Sequence, residues 1–559
     1  MQNLPILTRL PLIFLSLMLL FSRPVFANSQ AVINQQQRQN ALDNQLMPVG
    51  RSVSLSSFKG DKNRISFPEE RACFSVNQVI LEGSSALPGW IPLRKITRQA
   101  EGRCLGGKGI NLLMKKLQNK LVEAGYITSR IVAPEQDLNL GQLKLKLILG
   151  RIGEIKFAKE SSHYLNLFTA WPAHHNDLLN LRDLEQGLEN QLRLPTVESE
   201  MKIIPGTHQG ISDIEINWRQ TKKWRLDLSV DDGGLISTGR YQGSLTLFLD
   251  NPFALSDLLY FSTSREVEQG NKKKNRYRAA HYSLPLGYWL MGMTGSQYRY
   301  QQNIAGLFTD YRYRGEMDTL DIWLRRTLHH DALQKTTLTA NVLARRSRNF
   351  LEETELEIQR RQTSTWRLGL QHEHRIGSTS LLLGASYQRG TRWFGARPAP
   401  EERSGQATAL GKTVQLNARL NQPFQLSGQQ FRYNASYFRQ LSPTPLTPQD
   451  QLAIGNRWTV RGFDGQRTLS AIKGWYVRND LAWRTPVPLQ ELYLGFDYGE
   501  VSGYSPALLA GNRLSGSVIG LRGNTLNIGY DLFAGIPLSR PEGFITSKVT
   551  YGFNANWSF

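Results

Sequence analysis

Cysteine is nearly absent: the 559 residues hold two, Cys73 and Cys104, so a disulfide framework is excluded and a single bridge is the most the chain can form. Long apolar runs are missing as well. Past the N-terminus no segment approaches the roughly 20 apolar residues of a spanning helix, which excludes a helical membrane bundle. The mean hydropathy of −0.38 leaves a membrane β-barrel open, because the lumen-facing residues and loops of a barrel are hydrophilic. Acidic charge is in deficit, with 46 Asp and Glu against 67 Lys and Arg and a formal net charge of +21. That excess is scattered rather than gathered on one arm or helix face, so no nucleic acid partner is expected.

Catalytic signatures are lacking too. His174-His175, His329-His330 and His372-x-His374 have neither HExxH spacing nor a paired thiolate. The DDGG at Asp231 to Gly234 lacks the Lys-Ser/Thr and the following helix of a phosphate loop. No enzyme activity, metal or cofactor is expected.

What is present begins with an export signal. Arg9, an apolar run from Leu10 to Phe21 and small residues around Val25-Phe26-Ala27 mark residues 1–27 as a signal peptide cleaved after Ala27. Pro11 and Pro24 argue against an uncleaved anchor. Export to an oxidising compartment makes Cys73 and Cys104 a disulfide rather than a metal or redox pair. Residues 28–48 follow, rich in Gln and Asn with a thin apolar stripe. A helix this polar is loosely held, docked in polar surroundings, or disordered. Residues 49–69 read as a linker.

Two mixed units come next, at 70–150 and 151–220. In the first, CFSVNQVILEG is strand-like, Ile110, Leu113, Met114, Leu117 and Leu121 share one helix face, and Leu143, Leu145, Leu147 and Leu149 alternate against Lys144 and Lys146. The second repeats the plan, with Leu181, Leu184, Leu188 and Leu192 on a helix stopped by Pro195, then strands ending in Ile214, Ile216 and Trp218. Two consecutive α/β units of one design suggest a repeat built for binding.

From about Lys222 to the end the texture is period two. Trp224, Leu226, Leu228 and Val230 share one face, and similar alternation recurs through Leu526, Ile528, Tyr530 and Leu532 to Tyr551, Phe553, Ala555, Trp557 and Phe559. Short turns alternate with long polar loops and no helix is evident. At roughly 20 residues per strand and connection, residues 221–559 hold about 16 antiparallel strands of an all-β transmembrane barrel.

CFSVNQVILEG, GRCLGGKGI, AGYITSRIVAPEQDLNLGQLKLKLILGRI, WTVRGFDGQ and the terminal Phe559, in this order, resemble the outer-membrane transporters of two-partner secretion, in the wider family of barrel-assembly factors. The resemblance is strongest to the branch exporting hemolysins and contact-dependent inhibition toxins. It implies that the 28–48 segment is a plug helix in the pore and that the two units are α+β POTRA domains in the periplasm of a Gram-negative bacterium. It implies further that a loop around 455–472 folds back into the barrel, with Val460, Arg461, Gly462 and Phe463 at its tip. Arg461 is expected to meet Asp497 of LYLGFDYGE, whose neighbours Leu492, Leu494, Phe496 and Tyr498 take the lipid-facing parity and leave Asp497 in the lumen. One departure stands out: where the family carries an aromatic two residues before the Asp, this chain has Gly495. Phe559 is implied to be the signal read by the barrel-assembly machinery.

The expected function is a pore that captures, translocates and activates one large secreted partner, a hemolysin first, with a contact-dependent inhibition toxin or adhesin as alternatives. A general assembly factor for outer-membrane proteins is the second reading. Two periplasmic domains leave a passive porin unexplained. Outer-membrane lipid, the exported partner and the assembly machinery are the expected partners. Mature protein from cell envelopes should begin at Asn28, checked by mass spectrometry of its N-terminal peptide.

Overall fold

The computed structural model describes residues 30–39, 64–268, 273–306, 308–503 and 511–559. The expected signal peptide, both ends of the 28–48 plug segment and most of the linker lie outside them.

In the first small domain the helix Gly107–Glu123 buries Leu113, Leu117 and Leu121 completely and stops before Gly125, whose φ of +97° suits a helix C-terminus. These leucines cover a three-stranded sheet in which Gln142–Ile148 runs parallel to Gln78–Glu82 and antiparallel to Arg130–Val132. Leu143, Leu145 and Leu147 point into the core while Lys144 and Lys146 are exposed. Beside the sheet, a ribbon of Phe74–Val76 and Arg103–Leu105 carries the Cys73–Cys104 disulfide. Glu70 accepts from the backbone N–H groups of Gly106, Lys108 and Gly109 at 3.1, 3.0 and 2.7 Å, capping the helix. Desolvation opposes ionisation of Glu70, but these donors and Lys108 outweigh it and hold its pKa below the ordinary value.

The second domain has the same topology. Ile211–Gln220 is the central strand, parallel to Arg151–Phe157 and antiparallel to Val197–Pro205. Asn180 caps the helix Leu181–Leu192 by accepting from Arg182 N–H at 2.9 Å. Leu184 and Leu188 pack with Trp171 and Trp218 in the core. Gly187 sits mid-helix because any Cβ there would lie 2.5 Å from the Trp171 ring. The polar face of this helix is buried too, against the barrel rim. Asp183 accepts from Tyr288 Oη, Glu189 pairs with Lys335, and Asn190 donates to Gly287 O at 2.8 Å. Arg193 completes the clamp by donating to Ser256 O at 2.9 Å and Ser283 Oγ at 3.0 Å.

The barrel is closed and antiparallel with sixteen staves, from Trp224–Asp231 to Thr550–Ser558, and these two strands pair with each other. A two-residue strand, Thr354–Glu355, only extends the tip of Gln334–Leu351. Faces follow the period-two pattern: Leu492, Leu494 and Phe496 are exposed, whereas Tyr493 and Asp497 are buried in the interior. Turns on the side of the small domains are short, and Leu526-Asn527 takes positive φ at both residues, as tight hairpins favour. Connections on the opposite rim are longer, including 392–411 and 442–472. The last residue extends the closing seam, since Phe559 and Leu226 exchange backbone hydrogen bonds of 2.9 and 3.1 Å. The Phe559 ring lies 5.5 Å from that of Trp224 and 4.7 Å from Lys222 Nζ. No helix among the described residues is long and apolar enough to cross a membrane.

The bridge between Cys73 and Cys104 spans 31 positions, and releasing a loop of that length costs about 3–4 kcal/mol in the chain-entropy account. Replacing both cysteines by serine should therefore make the first domain cleavable by protease at lower urea, with the barrel unaffected.

Candidate functional site

The connection 442–472 enters the barrel from the rim opposite the small domains. It runs further than the 455–472 expected, because it includes a small hairpin of Leu452–Ile454 with Leu469–Ala471 that stiffens its two arms. The tip between the arms carries Val460, Arg461, Gly462 and Phe463, all buried or closely packed. Val460 and Phe463 join Leu452, Ile454, Leu469, Val501, Leu514 and Phe544 in a local apolar cluster. Phe463 meets Phe544 edge-on at 5.8 Å, while Asp464 accepts from Ser547 N–H and Oγ–H, each at 2.9 Å.

Arg461 reaches the wall. Its Nε and Nη2 donate to Asp497 Oδ2 and Oδ1 at 2.7 and 2.8 Å, and its own backbone N–H donates to Oδ2 at 3.0 Å. Nη2 also donates to Asp480 Oδ1 at 2.6 Å. The side chains of Arg461 and Asp497 are 5% and 1% exposed, so this bidentate pair is shielded from bulk water. Arg478 lies 3.9 Å from Asp497, and Arg522 bridges Asp480 at 3.3 Å to Glu491 at 3.0 Å.

Glycines make the seat. A Cβ on Gly495 would lie 2.7 Å from Arg461 Nη2, one on Gly499 2.8 Å from Val460 Cγ2, and one on Gly516 2.0 Å from Arg461 O. The departure at Gly495 thus has a reason in this chain: it clears the space that the guanidinium occupies. Gly462 has φ of +93° and approaches the Ile536 carbonyl so closely that a Cβ would fall 2.4 Å from it.

The helix at residues 30–39 shares the lumen. Ala31 and Val32 pack on Tyr277, Tyr298, Tyr300 and Tyr313 of the wall. Two turns on from Ala31, Arg38 pairs with Asp231 at 2.7 Å and donates to Ser244 and Ser264 hydroxyls at 3.2 and 3.4 Å. The helix also grips the loop: Gln37 donates to Ala453 O at 3.1 Å and accepts from Asn456 at 2.5 Å, and Gln30 donates to Gly465 O at 2.9 Å. Of the three states open for this segment, docking in polar surroundings describes residues 30–39.

Sequence reasoning missed Asp480, Arg38 and Asp231. Asp480 had a usable signal, being on the inward parity of the strand that pairs with that of Asp497. Asp231 and Asp232 are the acids of the DDGG set aside above; Asp232 binds Arg457 of the loop at 2.6 Å. Nothing local announces Arg38 among its glutamines. Cys73, Cys104 and Phe559 lie far from this assembly, in the first domain and at the seam.

Residues 210–523 match the family described as haemolysin secretion/activation protein ShlB/FhaC/HecB, and 74–150 and 151–205 match POTRA domains, the first of ShlB type. The chain belongs to this family. It is 34% identical over 514 residues to the outer membrane transporter CdiB-2 of Burkholderia pseudomallei, covering 88% of this chain and 87% of that protein. Against the hemolysin transporter protein HpmB of Proteus mirabilis the identity is 26%, covering 95% and 90%. The solved structure of CdiB from Acinetobacter baumannii superposes with a TM-score of 0.84 at 28% identity, covering 95% of this chain and 99% of that one. The protein is therefore an outer-membrane transporter of two-partner secretion, not an enzyme, with its POTRA domains in the periplasm. Its short barrel turns face the periplasm, and the loop enters from outside.

Removing one partner from a shielded ion pair costs about 3–5 kcal/mol. Arg461→Ala should leave a folded, heat-modifiable barrel while protease added to intact cells cuts between Ser442 and Lys473; equal resistance of variant and parent would show the loop held without the pair.

Proposed function

We propose that this transporter captures one large unfolded exoprotein in the periplasm, passes it through the barrel lumen and releases it at the cell surface. The observation that carries the reading is the double plug. Helix and loop occlude the pore mostly through ion pairs and amide hydrogen bonds, which water and a passing backbone can replace. Arg461 with Asp497 and Asp480 acts as the lock that holds the loop seated until a client displaces it.

Capture is supported by the POTRA edges. Arg130–Val132 and Val197–Pro205 each pair along one side only, and an extended client can add a strand to such an edge. No nucleotide serves an extracytoplasmic pore of this kind, so folding of the client outside supplies the direction. For the client itself, the 34% identity to a CdiB transporter against 26% to a hemolysin transporter favours a contact-dependent inhibition toxin over the hemolysin expected first. Activation during passage belongs to the hemolysin reading and carries no separate support.

Deleting the gene should remove a single large protein from the cell surface and medium, read by comparative proteomics, and Arg461→Ala should not restore it. Depletion of many outer-membrane proteins instead would favour the assembly-factor reading.

A further inference from the structure

The lumen is not filled evenly. The helix at 30–39 lies against the first six barrel strands, touching residues from Asp231 to Tyr313. The loop sits on the wall that carries Asp480, Asp497 and Gly516. Between them a cavity of about 350 Å³ runs along the inner face of the five strands from Gln334–Leu351 to Gln429–Leu441, and continues onto Lys473–Arg484. Ile33, Gln36 and Gln37 of the helix close it on one side.

Its chemistry is predominantly cationic. Arg345, Arg367, Arg419 and Arg478 line it, on four different strands. The register places each of these on the inward parity, Arg367 opposite Gln388 and Arg419 opposite Ser436. Along the inward faces of the five strands the sole acid is Glu373, at the periplasmic end and opposite Lys335. The carboxylate in the cavity is Asp450 of the loop, 3.5 Å from Arg345.

Two of the four guanidinium groups lie within ion-pair distance of a carboxylate, Arg345 of Asp450 and Arg478 of Asp497, and their compensation is partial. Arg345 is 8% exposed, yet its Nε has no hydrogen-bond partner. Arg367 donates to the neutral amide of Gln388 at 3.0 and 2.5 Å, with Asp321 of the strand adjoining these five near it but not paired, and Arg478 donates to Trp458 O at 3.1 Å beside its contact with Asp497. Among the described residues neither Arg367 nor Arg419 has a carboxylate within ion-pair distance. Behind the helix and the loop tip the opposite holds, with Arg38 on Asp231 and Arg461 on Asp497. Like charges confined in a cleft with low-dielectric walls focus a positive potential and concentrate anions. Guanidinium forks match carboxylates in shape as well as charge.

We propose that this cavity is an anion-accepting stretch of the export path, which binds the Asp and Glu carboxylates of an extended client and makes the unplugged pore anion-selective. The inference rests on the export reading given above. It places the moving chain along the Arg- and Gln-lined wall, where helix and loop border the cavity without filling it.

Purified full-length protein carrying Arg38→Ala, which frees the helix, is inserted in planar bilayers under a KCl gradient. The reversal potential should report preference for chloride, and adding Arg367→Gln with Arg419→Gln should lower that preference several-fold in a barrel that remains heat-modifiable. Deca-glutamate on the POTRA side should block the current where deca-lysine does not. Potassium preference, a selectivity indifferent to the two arginines, equal block by both peptides, or no current after Arg38→Ala would each overturn the proposal. Secretion is scored separately: a chloride-selective pore that exports no partner would sink the export reading and leave the selectivity standing.

Discussion

A closed barrel of sixteen staves encloses more space than the side chains of its wall can fill. The rest of this protein answers that constraint. A dry filling would require a second hydrophobic core and could not be withdrawn, whereas an empty lumen would leave a hole in the membrane. The chain instead inserts two polar elements, a Gln-rich helix and a long loop, and fastens each by one buried arginine. Arg38 binds Asp231 at the first strand, and Arg461 binds Asp497 and Asp480 on strands four and five places away around the closed barrel. Because helix and loop also bond each other through Gln37, Ala453 and Asn456, neither can leave without loosening its neighbour.

The energetics suit occlusion that is firm and reversible. Each buried pair resists one-sided disruption strongly, yet its net worth is limited, since the same groups regain hydration when released. Apolar contact at the loop tip is confined to a small cluster around Phe463 and Phe544. The glycines at 495, 499 and 516 lower the wall so that the loop backbone can touch it. Below the barrel, the polar face of the Leu181–Leu192 helix clamps the second POTRA domain to the rim through Asp183, Glu189, Asn190 and Arg193. The fixed domain therefore holds its strand edges in a set position relative to the pore mouth.

Much of this architecture was legible along the chain. Alternation in Leu492, Leu494 and Phe496 assigned one face of a strand and put Asp497 on the other, since the side-chain period of a strand is two. The leucine spacings predicted both domain helices, and VRGF marked the loop. Less was legible at the site. Asp480, Arg38 and the role of Asp231 depend on which strands are neighbours and where the helix docks, and no local pattern encodes that. Gly495 looked like a departure from the family and is instead the clearance for a guanidinium from 34 residues upstream in sequence.

By itself the sequence determined the local preferences: helix or strand, inward or outward face, export, and the one disulfide that two cysteines allow. Those follow from short-range sterics and the partition of each side chain between water and apolar surroundings. Closure of the barrel, by pairing Asp227–Asp231 with Asn554–Ser558, brings together residues more than three hundred positions apart. Only that closure decides that Arg38 meets Asp231, that Arg461 finds two carboxylates, and that the arginines of the facing wall are left with few. Electrostatic partners inside a lumen are set by distance in space, and only the tertiary structure supplies that distance.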